Sequence, residues 1–426
     1  MKWMIAALLC LPLSAVAEDG LNSGDTAWIL ASTALVLFMT LPGLALFYAG
    51  LVRSKNVLSV LMQCFSITCL ATFLWVAVGY SLAFSGGNGF IGDLSKAMFA
   101  GVGEGAMSGG IPESLFAAFQ MTFAIITPAL IVGGFAERMK FSAMLLFSAV
   151  WLIAVYVPVT HWVWAETGWL FNAGLLDFAG GTVVHITAGV AALVAAMVLG
   201  KRDGFPTAPM LPHNMTMTIT GAAMLWVGWF GFNAGSALAA DGNAAMALLV
   251  THISAAMGAA TWSVCEWLRY GKPSALGMVT GMVAGLGTIT PASGFVGPGG
   301  ALIIGVSAGA VCFVMTNVLK RVLKIDDSLD VFPVHGVGGI LGTMAAGVFA
   351  SDALGVFSGQ GYAEGMNMGS QLGVQFTGVI ATIGYTAVVT FVILKVVGLL
   401  VGLRVSADEE QIGLDQVAHN ERGYDL

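Results

Sequence analysis

The sequence predicts an all-α polytopic membrane protein with eleven transmembrane helices: an inverted five-helix repeat plus a long, tilted eleventh helix. Three observations lead there. Of the 426 residues, 58% are hydrophobic and only 9% charged, whereas charged residues make up about a quarter of a soluble domain, so one soluble core could not absorb the apolar surface. Apolar stretches close to the roughly 20 residues that a spanning helix needs recur along the whole chain. Basic residues gather in alternate connections between those stretches, which is the asymmetry expected of cytoplasmic loops. The net charge of −7 carries little about fold, because the acidic residues lie mostly in loops and at the carboxyl end. No basic nucleic-acid patch exists.

Residues 1–17 read as a signal peptide: Lys2 supplies the charged start, Trp3 to Leu13 the apolar run, and Ala15-Val16-Ala17 the small-residue cleavage site. A non-cleaved anchor is the alternative, but the run is shorter than a spanning helix requires. Residues 18–403 form one membrane domain, with spans predicted at 26–51, 57–84, 113–136, 141–163, 178–200, 215–238, 243–268, 275–292, 299–319, 331–350 and 370–403. Arg53 and Lys55, Arg138 and Lys140, Lys201 and Arg202, Arg269 and Lys272, then Lys320, Arg321 and Lys324 all fall in connections on one side; Lys96 alone falls on the other. An exported amino terminus and an odd number of spans place residues 404–426 in the cytoplasm. The last span is long enough for about 50 Å of helix and has to tilt or protrude. Gly277, Gly281 and Gly285, and likewise Gly305 and Gly309, have the spacing that lets membrane helices approach closely. Cys64, Cys69, Cys265 and Cys312 lie in apolar segments without metal-ligand spacing and read as core thiols.

The chemistry-bearing feature is a pair of membrane-depth histidines, each shortly after an aspartate: Asp177-Phe-Ala-Gly-Gly-Thr-Val-Val-His185 and Asp330-Val-Phe-Pro-Val-His335. Ionisable groups in hydrocarbon are costly unless buried or paired, and they mark permeation paths and proton relays. The histidines occupy the fifth and tenth spans, equivalent places in two inverted halves, where a site at the midplane is expected. Counted from the loops, His185 lies about 12 Å below one face and His335 about 8 Å above the other, a mismatch of roughly 10 Å across a 30 Å core. Asp177 reads as a helix N-cap, with a proton-transfer role layered on it as the sharper alternative. Asp330 reads as a cap as well, and His252 as a satisfied core histidine. Gly305-Val-Ser307-Ala-Gly309 matches a nucleophile-elbow pattern but lacks the strand–turn–helix context. There is no His-Glu-x-x-His, no cysteine pair at ligand spacing and no Walker A loop, so neither an enzyme nor a cofactor is expected.

With these pieces in order along the chain, the sequence resembles the Amt/Mep/Rh ammonium transporter family, and its bacterial Amt branch in particular. The resemblance rests on the two histidine motifs together with Trp229-Phe-Gly-Phe-Asn-Ala-Gly-Ser236, Leu44-Ala-Leu-Phe-Tyr-Ala-Gly50 and Glu137-Arg-Met-Lys-Phe-Ser142. It implies a homotrimer in the bacterial cytoplasmic (inner) membrane, with one narrow apolar pore per subunit and the two histidines hydrogen-bonded inside it. By motif position, Phe123 and Phe232 would be a stacked gate. Phe123, Trp164 and Ser236 would recruit ammonium or methylammonium, with Phe119 and Gln120 nearby and Trp229 lining the pore beyond. Trp162 and Trp169 are close competitors for the place of Trp164. Ammonium would lose its proton near the recruitment site and Asp177, ammonia would pass His185 and His335, and the proton would travel separately, giving electrogenic uptake. A passive ammonia channel and an ammonium sensor are the rival readings. Composition alone makes residues 404–426 a disordered tail, whereas the resemblance makes them a regulatory tail that meets a trimeric PII-type signalling protein. Asn420 stands where the family commonly has glycine.

Overall fold

A computed structural model describes residues 20–425 of the chain, so the expected signal peptide lies outside the described residues. Among them, ten helices are long and apolar enough to cross a membrane. These are α1 (Ser23–Leu51), α2 (Ser54–Phe84), α3 (Glu113–Phe135), α4 (Phe141–Asn172), α5 (Gly181–Leu199), α6 (Met215–Gly235), α7 (Gly242–Tyr270), α9 (Pro298–Leu323), α10 (Phe332–Phe349) and α11 (Met368–Val401). Between α7 and α9 lies α8 (Ala275–Ile289), an apolar helix of only 15 residues, where a span through residue 292 was expected. The helix stops short because Pro291 has no N–H to donate and biases the residue before it away from helical geometry. Residues 290–295 continue as turns, buried as far as Gly294, the setting in which irregular backbone is tolerated at membrane depth.

Polar caps start several helices by taking first-turn N–H groups that have no intrahelical partner. Asn22 accepts from Gly24 and Asp25, Asn214 from Met217, Asp241 from Ala244, and Asn367 forms a reciprocal box with Ser370 ahead of α11. Glycines bring α7, α8 and α9 together. A β-carbon on Gly305 would sit 2.6 Å from the Ser254 carbonyl oxygen, and one on Gly309 would sit 2.7 Å from that of Gly258.

The expected basic connections meet at one end of the bundle. Arg53 pairs with Glu137 at 3.0 Å, Glu137 with Arg202 at 2.9 Å, and Arg202 with Asp326 at 2.8 Å, joining four connections in one buried chain. Arg321 lies 5.5 Å over the Tyr270 ring and brings the α7–α8 connection to the same end. The opposite end carries the glycine-rich segment 85–112 with its two-stranded hairpin, β1 (Met107–Ser108) and β2 (Ile111–Pro112). There Val296, just past α8, pairs with Gly359, between α10 and α11.

The tail is ordered. Its short helices α12 (Ala407–Ile412) and α13 (Leu414–His419) pack on the basic end. Glu410 bonds Arg404 at 2.8 Å and the Asp203 N–H at 2.8 Å, while the Asp415 carboxylate accepts from the Leu58 and Ser59 N–H groups at the start of α2. Asn420 adopts the left-handed conformation, φ 54° and ψ 37°, which asparagine tolerates better than other non-glycine residues.

Three expectations are corrected. His252 is exposed on α7, its ring 5.3 Å from that of Trp226, and is not a core histidine. Cys69 is exposed and Cys265 half-buried; only Cys64 and Cys312 are core thiols. Asp330 does not cap α10, as described next.

Candidate functional site

α5 and α10 each open with a π-helical turn, Gly181–Ile186 and Phe332–Gly336, and each turn carries its histidine. The two helices cross where Gly189 faces the Gly336 backbone and Gly339 faces the His185 β-carbon. Without side chains at that crossing, the backbones approach closely enough for the imidazoles to meet. His185 Nδ1 and His335 Nδ1 are 3.1 Å apart with ring centroids 5.2 Å apart. One ring donates and the other accepts, so the pair holds one shared hydrogen bond. The 10 Å depth mismatch counted from the loops does not exist, since the two imidazoles are in direct contact.

Each π turn is held by an aspartate eight residues before its histidine. Asp177 accepts from the N–H groups of Gly180 at 2.8 Å, Gly181 at 2.6 Å and Thr182 at 2.8 Å, and from the Thr182 hydroxyl. Asp327, absent from the sequence reading, accepts from Phe332 N–H at 2.7 Å. Asp330 instead takes a positive φ of 61°, which swings its carboxylate onto Lys320 at 2.6 Å. The sequence signal for Asp327 was the eight-residue spacing already visible in Asp177 and His185, obscured by the nearer acid. Burial pushes the Asp327 carboxyl up to about 7, reinforced by neighbouring Asp330 and opposed by the Phe332 N–H and Lys320.

On the side away from the basic end, aromatic rings close the approach to His185. Phe123 and Phe232 lie 4.3 Å apart between centroids, Phe119 packs 5.0 Å from Phe123, and Trp164 meets Phe123 edge-on at 5.6 Å. Trp164 is the tryptophan of this group. Trp162 and Trp169 belong to a separate cluster with Phe90, and Trp162 also packs on Tyr385. The Trp164 Nε1–H donates to the Asp177 carbonyl at 2.9 Å, so the loop that caps α5 also aims this indole. The Ser236 hydroxyl donates to Phe232 O at 2.8 Å, leaving its lone pairs free to accept. Gln120 is buried with Oε1 unpartnered. Trp229 stacks on His185 at 5.6 Å and 19°, its Nε1–H fixed by Thr290 at 2.9 Å, a partner supplied by the turn after α8.

Beyond the Phe123–Phe232 pair lies a cavity of about 10 Å³ bordered by Phe232, Trp229, both histidines and aliphatic side chains including Ile126, Leu225 and Val283. That is near the smallest space that holds one water. The imidazoles are the polar groups of the cavity's lining besides the Trp229 indole, which is turned to Thr290. His335 also borders a second cavity of about 300 Å³ toward the basic end, lined by Tyr48, Tyr270, Lys320 and Asp330 among others. The histidine pair therefore lies between a narrow, mostly apolar cavity and a wider one that polar side chains help to line.

The family model described as the Ammonium Transporter Family matches residues 27–424. The chain is 49% identical over 409 residues to an ammonium transporter of Bacillus subtilis, covering 95% of this chain and 99% of that one. It is 47% identical to an ammonium transporter of Aquifex aeolicus, covering 96% and 95%. Among solved structures, Saccharomyces cerevisiae Mep2 superimposes with a TM-score of 0.83 at 38% identity, covering 91% of each chain. A sensor Amt protein superimposes with a TM-score of 0.85 at 29% identity, covering 93% and 98%. The chain is a multi-pass membrane protein and a member of the ammonium transporter family.

Proposed function

We propose that this chain takes up ammonium by splitting it: the ion is recruited at the aromatic mouth, ammonia crosses the constriction, and the proton moves separately by way of the histidine pair. The observation that carries the reading is the 3.1 Å contact between His185 and His335 at a cavity of about 10 Å³. A dry apolar gap of that size excludes a hydrated or bare metal cation, whose desolvation would go uncompensated. Ammonium differs from potassium in that it can surrender its charge. At the mouth, Trp164 and Phe123 attract it through their π faces, worth about 0.5–2 kcal/mol, and Ser236 accepts one of its N–H bonds. Asp177 acts through structure and charge: its carboxylate is spent on N–H donors, and its carbonyl fixes Trp164.

The α8 segment then counts as the eighth of eleven crossings, since it starts at the basic end and its continuation reaches the opposite one. That count gives the inverted five-helix repeat, an external amino terminus and a cytoplasmic tail in the inner membrane, with the basic end inside. The homotrimer and the PII-type partner come from family likeness, and the docked tail supplies a defined surface for such a partner.

The test is purified protein in sealed liposomes, given an ammonium jump while current and internal pH are recorded together. Net charge transfer draws about 2.3 kcal/mol per 100 mV of potential. The expected result is an ammonium-dependent current that excludes potassium. Retention of that full current after replacing both histidines with alanine overturns the mechanism, and flux without current identifies a passive ammonia channel.

A further inference from the structure

Away from the pore, a groove of about 620 Å³ runs between α5 and α11 on the outer surface, lined by Met197, Val388, Phe391, Val392 and, at its end, Lys395. Lys395 is the single charged residue in α11 (Met368–Val401), and no other described residue forms an ion pair with it. A lysine in a membrane helix ordinarily extends its ammonium toward the nearer aqueous end. Here the ammonium lies 5.2 Å over the Phe391 ring, one turn back from that end, at the mouth of the groove.

The depth is also informative. A helix of 34 residues is about 51 Å long at 1.5 Å per residue, some 20 Å more than the hydrocarbon core. Shared between its ends, the excess puts the hydrocarbon boundary about seven residues inside each terminus, which is the level of Lys395. A cation held at that boundary, above an apolar groove and without a protein counter-ion, matches an amphiphile with an anionic head and a hydrocarbon chain. We propose that this groove binds an anionic phospholipid of the leaflet at the basic end, with one acyl chain between α5 and α11 and the headgroup phosphate on Lys395. The same end carries exposed Lys201 beyond α5, and Arg404, whose guanidinium donates to the Leu199 carbonyl at 3.0 Å. The headgroup would therefore neighbour the root of the docked tail.

The test is native mass spectrometry of the full chain in mild detergent, titrated with a phosphatidylglycerol and with a phosphatidylcholine of the same acyl chains. Wild type is expected to retain the anionic lipid in preference to the zwitterionic one. Lys395→Gln should reduce anionic retention about fivefold, the effect of one lysine at an anionic surface, and leave the choline lipid unchanged. Val388→Trp, which fills the groove, should lower retention of both. Equal anionic retention by Lys395→Gln and wild type, or no lipid retained by wild type, overturns the proposal. A change in oligomer mass in Val388→Trp with lipid retention unaltered overturns it in favour of a second copy of the chain. Val388 and Lys395 lie outside the proposed pore, so ammonium current serves as an independent check that the variants are folded.

Discussion

Two aspartates hold equivalent places and behave differently. Asp177 spends both oxygens on N–H and O–H donors, whereas Asp327 has one N–H bond and leaves Oδ1 buried without a partner. Asparagine at 177 would set an NH2 group against N–H donors, at a cost of about 1–3 kcal/mol for the groups left unpaired, and would loosen the loop that aims Trp164. Asp177→Asn is therefore expected to lower both the melting temperature and ammonium flux. A variant that loses transport at an unchanged melting temperature would instead make Asp177 a proton carrier. Asp327 faces Asp330, Lys320, Tyr48 and Arg138. Its folded value of about 7 lies above the unfolded value of about 3.9, so the folded state binds the extra proton between them and stability falls as pH rises through that window. Asparagine mimics the protonated acid and still accepts from Phe332. Asp327→Asn should flatten the slope between about pH 4 and 7 and raise stability at pH 8 by on the order of a few kcal/mol. Thermal melts across pH check this, and an unchanged slope refutes it. The histidines and Asp177 were legible because an ionisable residue inside an apolar run stands out. Asp327 was not, because the positive φ that turns Asp330 away leaves no mark in hydropathy.

At the scale of elements, periodic apolar runs located helices well, and irregular backbone poorly. The α8 helix is three residues shorter than hydropathy predicts, because apolar character continues through Thr290, Pro291 and Ala292 while the backbone breaks at the proline. The break serves the site: Thr290 holds the Trp229 indole, and the Pro291 carbonyl accepts from Phe178 N–H at 3.0 Å. The tail illustrates the reverse. Its charge suggests disorder, yet those charges are the docking contacts, with Asp415 capping α2 and Lys55 donating to the carbonyls of Glu410 at 2.9 Å and Gln411 at 2.6 Å. Removing a helix cap costs about 0.5–2 kcal/mol, which loosens the tail where it meets α2. Asp415→Ala should therefore speed tryptic cleavage at Arg404 and Arg422 severalfold while the membrane domain stays intact. Asn420→Gly should leave the cleavage rate close to wild type, and Asn420→Val should raise it, because a β-branched residue is strained at that φ. Cleavage of Asp415→Ala at the wild-type rate would show that the tail is held elsewhere.

Across the whole molecule, a largely buried polar assembly at the basic end joins four connections and reaches, through Ser328, the cavity that His335 borders. Arg53, Glu137, Arg202 and Asp326 tie the α1–α2, α3–α4, α5–α6 and α9–α10 connections together. Arg138 adds bonds to the Asp326 carbonyl at 2.6 Å and the Ser328 hydroxyl at 2.6 Å. Because α5 and α10 carry the histidines and start or end in this assembly, its integrity sets how firmly the crossing at Gly189 and Gly336 is held. Burial alone would raise the Glu137 carboxyl, but Arg202 and Arg53 outweigh it and hold the group below the usual glutamate range. Burial likewise opposes ionisation of Asp326, and Arg202 again prevails. With folded values below the unfolded ones of about 4.3 and 3.9, both groups contribute fully above about pH 4, and the contribution is lost as pH falls through the folded values. Removing the Glu137 charge takes one partner from Arg53 and one from Arg202, while Arg202 keeps Asp326 at 2.8 Å and half-buried Arg53 keeps Glu410 at 3.8 Å, so the cost is smaller than the roughly 3–5 kcal/mol of a fully orphaned buried charge. Glu137→Gln should accordingly lower the melting temperature at pH 7 and blunt the acid edge that wild type shows below about pH 4. If Glu137→Gln melts like wild type at pH 7, water or a relaxed Arg53 compensates for the lost carboxylate, and the assembly does not clamp the four connections.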